Sequence, residues 1–206
     1  MYVSKDFEET NSKEIARIIS EHPLSMIICN CDDDIVANHV PLIMGKDNDF
    51  IGHIAKSNPL HNLVKNGSKT LAVFSGENSY ISPNWYPTKA ETRRHVPTWN
   101  YQTVHVHGWI SFSHSKKEKI AAVGRLTKLL EQKYFGEDAW KISDAPKDYI
   151  DDLVENIVAF TIRVEKISAK SKLSQNRETI DFNNIVKVME EIGKTELSES
   201  MKRLAR

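Results

Sequence analysis

The sequence predicts a mainly β protein with helical additions, an α+β chain organised as a closed or nearly closed antiparallel barrel. Three observations carry this reading. Four strand-length runs, LSMIICN, DIVANHVPLIM, DFIGHIA and KTLAVFS, follow one another between residues 24 and 75. Two later stretches alternate apolar and polar residues, and helical periodicity is confined to the ends and edges of the chain. An open α+β sandwich has the same periodicities and stands as the alternative. At 206 residues the chain suits one larger domain, or one domain with a short appendage. Such a chain buries roughly 70% of its unfolded surface and needs no covalent staples.

SKEIARIISEHP reads as a helix entered at Ser12, with Ile15, Ile18 and Ile19 at helical spacing and Pro23 ending it. CDDD and GKDND are polar turns between the first three strands, which suggests an antiparallel meander. KSNPLHNLVKNG holds a short helix capped by Ser57 or Asn58. PNWYPTKAETRRHV is a loop with Pro83 and Pro87 and no apolar period. A long strand runs from about Trp99 to Phe112. It puts Val104, Val106, Gly108, Ile110 and Phe112 on one face and Thr103, His105, His107 and Trp109 on the other. SKKEKIAAVGRLTKLLEQKYF is an amphipathic helix, opened by Ser115 with Glu118 at the capping-box spacing. DAPKDYIDDLVE is a further helix, and NIVAFTIRVEKI a strand with Val158, Phe160, Ile162 and Val164 on one side. From Asp181 on, Ile185, Val188, Met189 and Ile192 form a helical apolar stripe.

Composition excludes several classes. Lys+Arg and Asp+Glu both total 28, so no basic excess marks a nucleic-acid binder. No apolar run approaches the ~18 residues of a membrane span, and MYVSKDFEET is too polar for a signal peptide. Cys29 and Cys31 are too close in sequence for an ordinary disulfide framework and fit a reducing compartment, so the expectation is a cytoplasmic protein with no membrane partner. G-x-S-x-G, Walker and G-x-G-x-x-G patterns are absent, which disfavours serine hydrolase, P-loop and Rossmann chemistry.

The chemistry-bearing stretches are few. His105-x-His107 puts two imidazoles on one strand face, a spacing used by metal sites, with His95 or His39 as a conceivable third ligand. No acid or cysteine stands at a recognisable spacing from them. The preferred reading is therefore half-buried histidines beside a ligand or an interface, and the expected metal set is none. Cys29 and Cys31 read as ordinary thiols, and Asp32–Asp34 as a solvated turn. HIAKSNP takes a strand ending at Ala55 into Lys56, Ser57 and Asn58. Backbone N–H groups there, with one ammonium and one hydroxyl, suit a phosphate; ordinary capping beside a surface lysine is the plainer alternative.

HIAKSNP, LAVFSGENSYISPNWYP, VPTWNYQTVHVHG, DAPKDYI and KLSQNR, in this order, resemble the PaiB-like FMN-binding negative transcriptional regulators, as do MYVSKDF and ANHVPLI. The resemblance runs from Met1 to about Gly193. It implies an FMN-binding split barrel, a six-stranded antiparallel barrel similar to pyridoxamine-phosphate oxidase, working as a homodimer with flavin at the subunit interface. Residues 1–180 would form that barrel with its peripheral helices, and 181–206 a helical tail packed on the barrel or on the dimer mate. The chain departs from the family at Leu24-Ser25 and at Arg93 and Arg94.

For a flat ring edged with N and C=O groups, Trp99 and Tyr101 supply planar walls, and Asn100, Gln102 and His105 hydrogen-bonding partners. Asn38, His39 and Val40 would line the ring from a neighbouring strand. The stretch from His53 and Ala55 through Lys56, Ser57 and Asn58 would hold the phosphate, and Arg177 would add a guanidinium. The implied function is a dimeric FMN-binding repressor with no catalytic residues of its own, contacting DNA directly or indirectly. A direct contact would use Lys116, Lys117, Lys119, Arg125 and Lys128. An FMN-dependent oxidoreductase, a haem-binding split barrel and a vestigial site are the alternatives.

Overall fold

The computed structural model describes residues 1–31, 34–45 and 47–204. The expected turn at Asp32 and Asp33, and Lys46 of the second polar turn, lie outside the described residues. The strands are β1 (Glu8–Glu9), β2 (Leu24–Cys31), β3 (Asp34–Pro41), β4 (Ile43–Met44), β5 (Phe50–Ala55), β6 (Ser68–Ile81), β7 (Thr98–Ser113) and β8 (Ile157–Lys172). The helices are α1 (Ser12–Glu21), α2 (Leu60–Leu63), α3 (Lys89–Thr92), α4 (Lys116–Phe135), α5 (Lys147–Glu155), α6 (Thr179–Glu191) and α7 (Thr195–Leu204).

The strands form one antiparallel sheet in the order β3-β2-β6-β7-β8-β5-β4, with β1 pairing β8 at Glu8↔Lys170. The α+β class is as expected, and six of the strands have six residues or more, the number that the resemblance implies. The sheet is corrected on two counts: it has eight strands, and its two ends do not join. Nor is it a simple meander. The β2–β3 hairpin extends from β6, whereas β5 leaves β3 to pair with β8, at Phe50↔Ile162 through Ala55↔Ile157. Period-two patterning identifies strands without naming their partners, so this exchange has no local signal.

Two compact units divide the chain. The first joins Met1–His22 and Ser75–Val104 to the chain from Ser168 on; the second is Pro23–Phe74 with His105–Ile167. In the second unit alternation on β7 and β8 buries Val106, Ile110, Val158, Phe160 and Ile162. Phe50 packs on Phe74 with ring centroids 5.4 Å apart, and Phe112 on Phe160 at 6.0 Å. Each fully buried aromatic of this kind contributes roughly 1.5–3 kcal/mol. α4 starts after Ser115 as expected, but the serine makes no side-chain cap, so the capping box is not formed.

In the first unit α1 is capped by Asn11, whose side chain accepts from the Lys13 N–H, and not by Ser12, which lies inside the helix. The C-terminal stretch supplies Phe182, Ile185, Met189, Leu197 and Met201, packed with Ile81, Tyr86 and Leu173. Ile192, the last member of the expected stripe, is exposed. A polar network occupies the same unit. Glu14 receives Arg17 through two hydrogen bonds of 2.7 and 3.0 Å, and Gln102 Nε2 donates to Glu14 and to Ser171 at 2.9 Å each. Burial alone would raise the Glu14 pKa; the hydrogen bonds from Arg17 and Gln102 outweigh it and hold the carboxyl below its usual value.

Gly108 marks the closest backbone approach. A Cβ there would stand 2.4 Å from the Arg163 carbonyl oxygen and 2.8 Å from Ile162 Cγ2. Gly108→Ala is expected to lower the unfolding free energy by about 1–3 kcal/mol, read as a reduced urea midpoint at unchanged slope.

Candidate functional site

β5 ends at Ala55 and the chain turns through Lys56 and Ser57. The turn is braced from four sides. Lys56 N–H donates to the Asn156 carbonyl at 2.8 Å, and Asn58 N–H to the Ala55 carbonyl at 2.9 Å. Asn58 Nδ2 donates to Asn38 Oδ1 on β3 at 2.8 Å, while Asn58 Oδ1 accepts from Leu60 N–H at 3.0 Å. His61 Nε2 bonds the Lys56 carbonyl at 3.0 Å. Of the backbone N–H groups expected at this junction to suit a phosphate, those of Lys56 and Asn58 are thus already satisfied. α2 has only four residues, and its N-cap is Pro59 rather than Ser57 or Asn58, although Asn58 Oδ1 accepts from its first N–H, that of Leu60. What the turn offers outward is the Lys56 ammonium and the Ser57 hydroxyl, both exposed, with the Asn58 carboxamide as the brace beneath them.

The same unit holds Asn38, His39, Val40, His53 and His105. Asn38 and Val40 share one face of β3, with Val40 buried; His39 points to the other face and is exposed. His53 and His105 are half-buried, and Nδ1 of each is buried without a partner among the described residues. Burial lowers the pKa of both rings; His107, whose ring centre lies 6.5 Å away, adds to the effect on His105. A buried imidazole nitrogen without a partner is a place where a hydrogen-bonding ligand or water belongs.

Trp99, Asn100, Tyr101, Gln102 and Arg177 belong to the first unit. Alternation divides them. Asn100 and Gln102 are 0% and 4% exposed. Asn100 Oδ1 accepts from Ser174 Oγ at 3.0 Å, and Gln102 Oε1 accepts from Arg17 at 2.8 Å. Their amides complete the interior, which sets them apart from the ring-edge role expected for them. Trp99 is 53% exposed and packs edge-on to Tyr80; Tyr101 is half-buried. The strand parity that sorted Val104 from His105 already assigns Asn100 and Gln102 to the core face.

Lys170 and Lys172 are the residues that the sequence reading missed. The Lys170 ammonium lies 5.4 Å from the Tyr101 ring centre and 5.8 Å from that of Tyr2. Lys172 Nζ donates to the Trp99 carbonyl at 2.6 Å and to Thr98 Oγ1. Arg177 lies 4.9 Å from the centre of the Tyr86 ring. The signal in the sequence that could find them is the i, i+2 lysine spacing of AKSKL. Of the cations considered for DNA, Lys119 is buried at 3% exposure and Lys116 pairs with Asp151 at 3.0 Å, so α4 does not present the expected basic face.

Of the potential metal ligands, His95 is engaged otherwise. His95 Nε2 bonds Thr88 Oγ1 at 2.8 Å, and that hydroxyl donates to Asp181 Oδ2 at 2.7 Å. Among the described residues, Glu21, His22 and Glu196 cluster closely enough for an ion, but Arg17 bonds Glu21 and lies 4.0 Å from Glu196, supplying the positive charge. Cys29 and Cys31 are buried thiols that form no disulfide, with burial raising the Cys29 thiol pKa.

Residues 1–166 match the family described as "Putative FMN-binding domain". The chain belongs to that family. FMN, the cofactor expected from the sequence, is the one its description carries. The chain is 34% identical over 195 residues to the protease synthase and sporulation protein PAI 2 of Bacillus subtilis, covering 92% of this chain and 89% of that one. An uncharacterised Aspergillus fumigatus protein is 27% identical over 240 residues, with 94% and 92% covered. In fold it is similar to the flavocytochrome Anf3 of Azotobacter vinelandii, with TM-score 0.60, 10% identity and coverage of 82% and 72%. The FAD and heme binding protein of Mycobacterium smegmatis gives TM-score 0.59, 11% identity and coverage of 80% and 73%. No helix among the described residues is long and apolar enough to cross a membrane.

The two depressed histidines set a pH dependence. A ring whose folded pKa lies below its ordinary value of 6.5 binds fewer protons folded than unfolded as the pH drops through that interval, so stability falls with pH. Chemical-denaturation midpoints are expected to be flat above about pH 7 and to decline from about pH 6.5 downward. The decline should be shallower in His53→Gln and His105→Gln, and an equally steep decline in both would remove the assignment.

Proposed function

We propose that this chain is an FMN-binding regulatory protein that acts as a homodimer and lowers transcription of its target genes. The braced turn after β5 is the observation that carries the cofactor site. It holds an ammonium and a hydroxyl outward on a turn fixed by the bonds of Lys56 and Asn58, and those two groups suit a phosphate monoester dianion. Lys56 and Ser57 are the phosphate ligands, Asn38 and Asn58 the brace, and His53 a polar contact whose free Nδ1 fits an N–H or hydroxyl of the ligand. FMN, when bound, supplies reversible electron transfer; the protein binds it, orients it and limits its contact with water.

The regulatory half is supported by relationship to a protein named for protease synthase and sporulation, along nearly the full length of both chains. The α4 face is left out of any DNA contact because two of its five cations are already engaged.

Titrating the purified protein with FMN should quench flavin fluorescence saturably, and Lys56→Ala should weaken binding by about 1–3 kcal/mol. Unchanged affinity in that variant would sink the phosphate assignment. For the regulation, transcript profiles of the producing organism are compared with and without the gene. A set of transcripts should rise on deletion and return with the wild-type chain; an unchanged profile refutes it.

A further inference from the structure

We propose that Lys170, Lys172 and Arg177 form an anion site for the phosphate of a nucleotide-like ligand, with the indole of Trp99 as the stacking surface for its ring. The inference draws only on first-unit residues and does not rest on the turn after β5.

The Lys170 ammonium has no counterion among the described residues. Lys170 is 9% exposed, yet it has neither an ion pair nor a hydrogen-bond acceptor among the described residues; its neighbours are the Tyr2 and Tyr101 rings. Glu8 stands opposite it in the β1–β8 register and makes no ion pair with it. Two ring faces offset only part of the cost of desolvating a charge. Lys172 lies two residues on, on the same strand face, and donates to neutral oxygens only. Burial lowers its pKa, and repulsion from Lys170 and Arg177 lowers it further, so Lys172 lies within reach of both charges. Arg177 rests on Tyr86 with no carboxylate partner among the described residues.

The turn after β8 brings these cations together. Ser174 takes a left-handed conformation, φ 64°, and its buried hydroxyl bonds Asn100; Arg177 N–H then bonds the Ser174 carbonyl at 3.0 Å. A non-glycine residue held there stores backbone strain. Three cations without a carboxylate partner among the described residues, gathered at the end of β8 and the strained turn after it, suit a multiply charged anion. The ligand's ring follows from Trp99, half exposed, whose own carbonyl holds the Lys172 ammonium. A phosphate at Lys172 therefore places an attached planar group beside the indole.

The test uses the full chain as isolated and again after saturation with FMN, titrated calorimetrically with AMP and with inorganic phosphate. Binding of AMP should weaken about tenfold or more in Lys172→Gln and in Arg177→Gln, and persist in Lys56→Ala. Trp99→Ala should weaken AMP and spare inorganic phosphate. AMP binding that survives FMN saturation identifies a non-flavin nucleotide as the ligand. Loss of AMP binding on saturation, together with a tenfold drop in FMN affinity in the two variants, identifies the flavin's own phosphate. Equal affinities for AMP, phosphate and FMN in wild type and both variants overturn the site. If the wild type fails to bind FMN, the flavin reading falls, and the AMP and phosphate titrations of the isolated chain still decide this one. Lys170→Gln, which risks the fold, is left out of the comparison.

Discussion

A strand can offer a ligand only every second side chain, and β7 keeps that limit through most of its sixteen residues. Asn100, Gln102, Val104, Val106, Gly108 and Ile110 are buried, while Trp99, Tyr101, His105, His107 and Trp109 keep some exposure; Thr103 interrupts the outer row by being buried. A slip of one residue would exchange the rows, putting imidazole and indole in the core and stranding two amides outside it. Gly108 guards the register, because only a residue without a Cβ fits against the Arg163 carbonyl.

Placing amides on the inner row has a cost that the rest of the first unit meets. A buried carboxamide without partners costs about 1–3 kcal/mol, more than a satisfied one contributes. Gln102 meets that requirement by bonding Arg17, Glu14 and Ser171, and Ser171 in turn donates to Glu9 at 2.9 Å. One side chain of β7 thereby ties together α1, β8 and β1. The Glu14–Arg17 pair is part of that structure and no candidate for catalysis, even though the Glu14 pKa is depressed. With the inner row fixed, Tyr101 on the outer row has a defined place against Lys170.

Local physics was legible in the residues: the long strands, α1, α4, α5, the C-terminal helical stretch and the division of Val104 from His105 all follow from periodicity. The FMN family was legible in motifs such as HIAKSNP and VPTWNY. Sheet order was not, because the choice of β8 over β3 as the partner of β5 depends on contacts a hundred residues apart, roughly, and pattern carries no address. Nor were the fates of individual polar groups. Asn58 and Lys56 sit two residues apart in one motif, yet one is spent on Asn38 and Leu60 and the other is exposed. Lys119 reads as surface charge by type and is buried in fact.

The balance of 28 cations against 28 acids hides how they are distributed. Arg17, Lys116, Lys187, Lys194, Lys202 and Arg203 all meet carboxylates within 4.0 Å. Lys170, Lys172 and Arg177 meet rings, a hydroxyl and a carbonyl instead. Net charge governs solubility and long-range steering, whereas recognition of an anion depends on the few charges left without partners where water is partly excluded. A neutral chain is therefore no weaker a candidate for binding phosphate than a basic one, provided its acids are spent elsewhere. Here the acids that pair with cations lie on α1, α5, α6, α7 and β6, and among the described residues no ion pair forms at Lys170, Lys172 or Arg177.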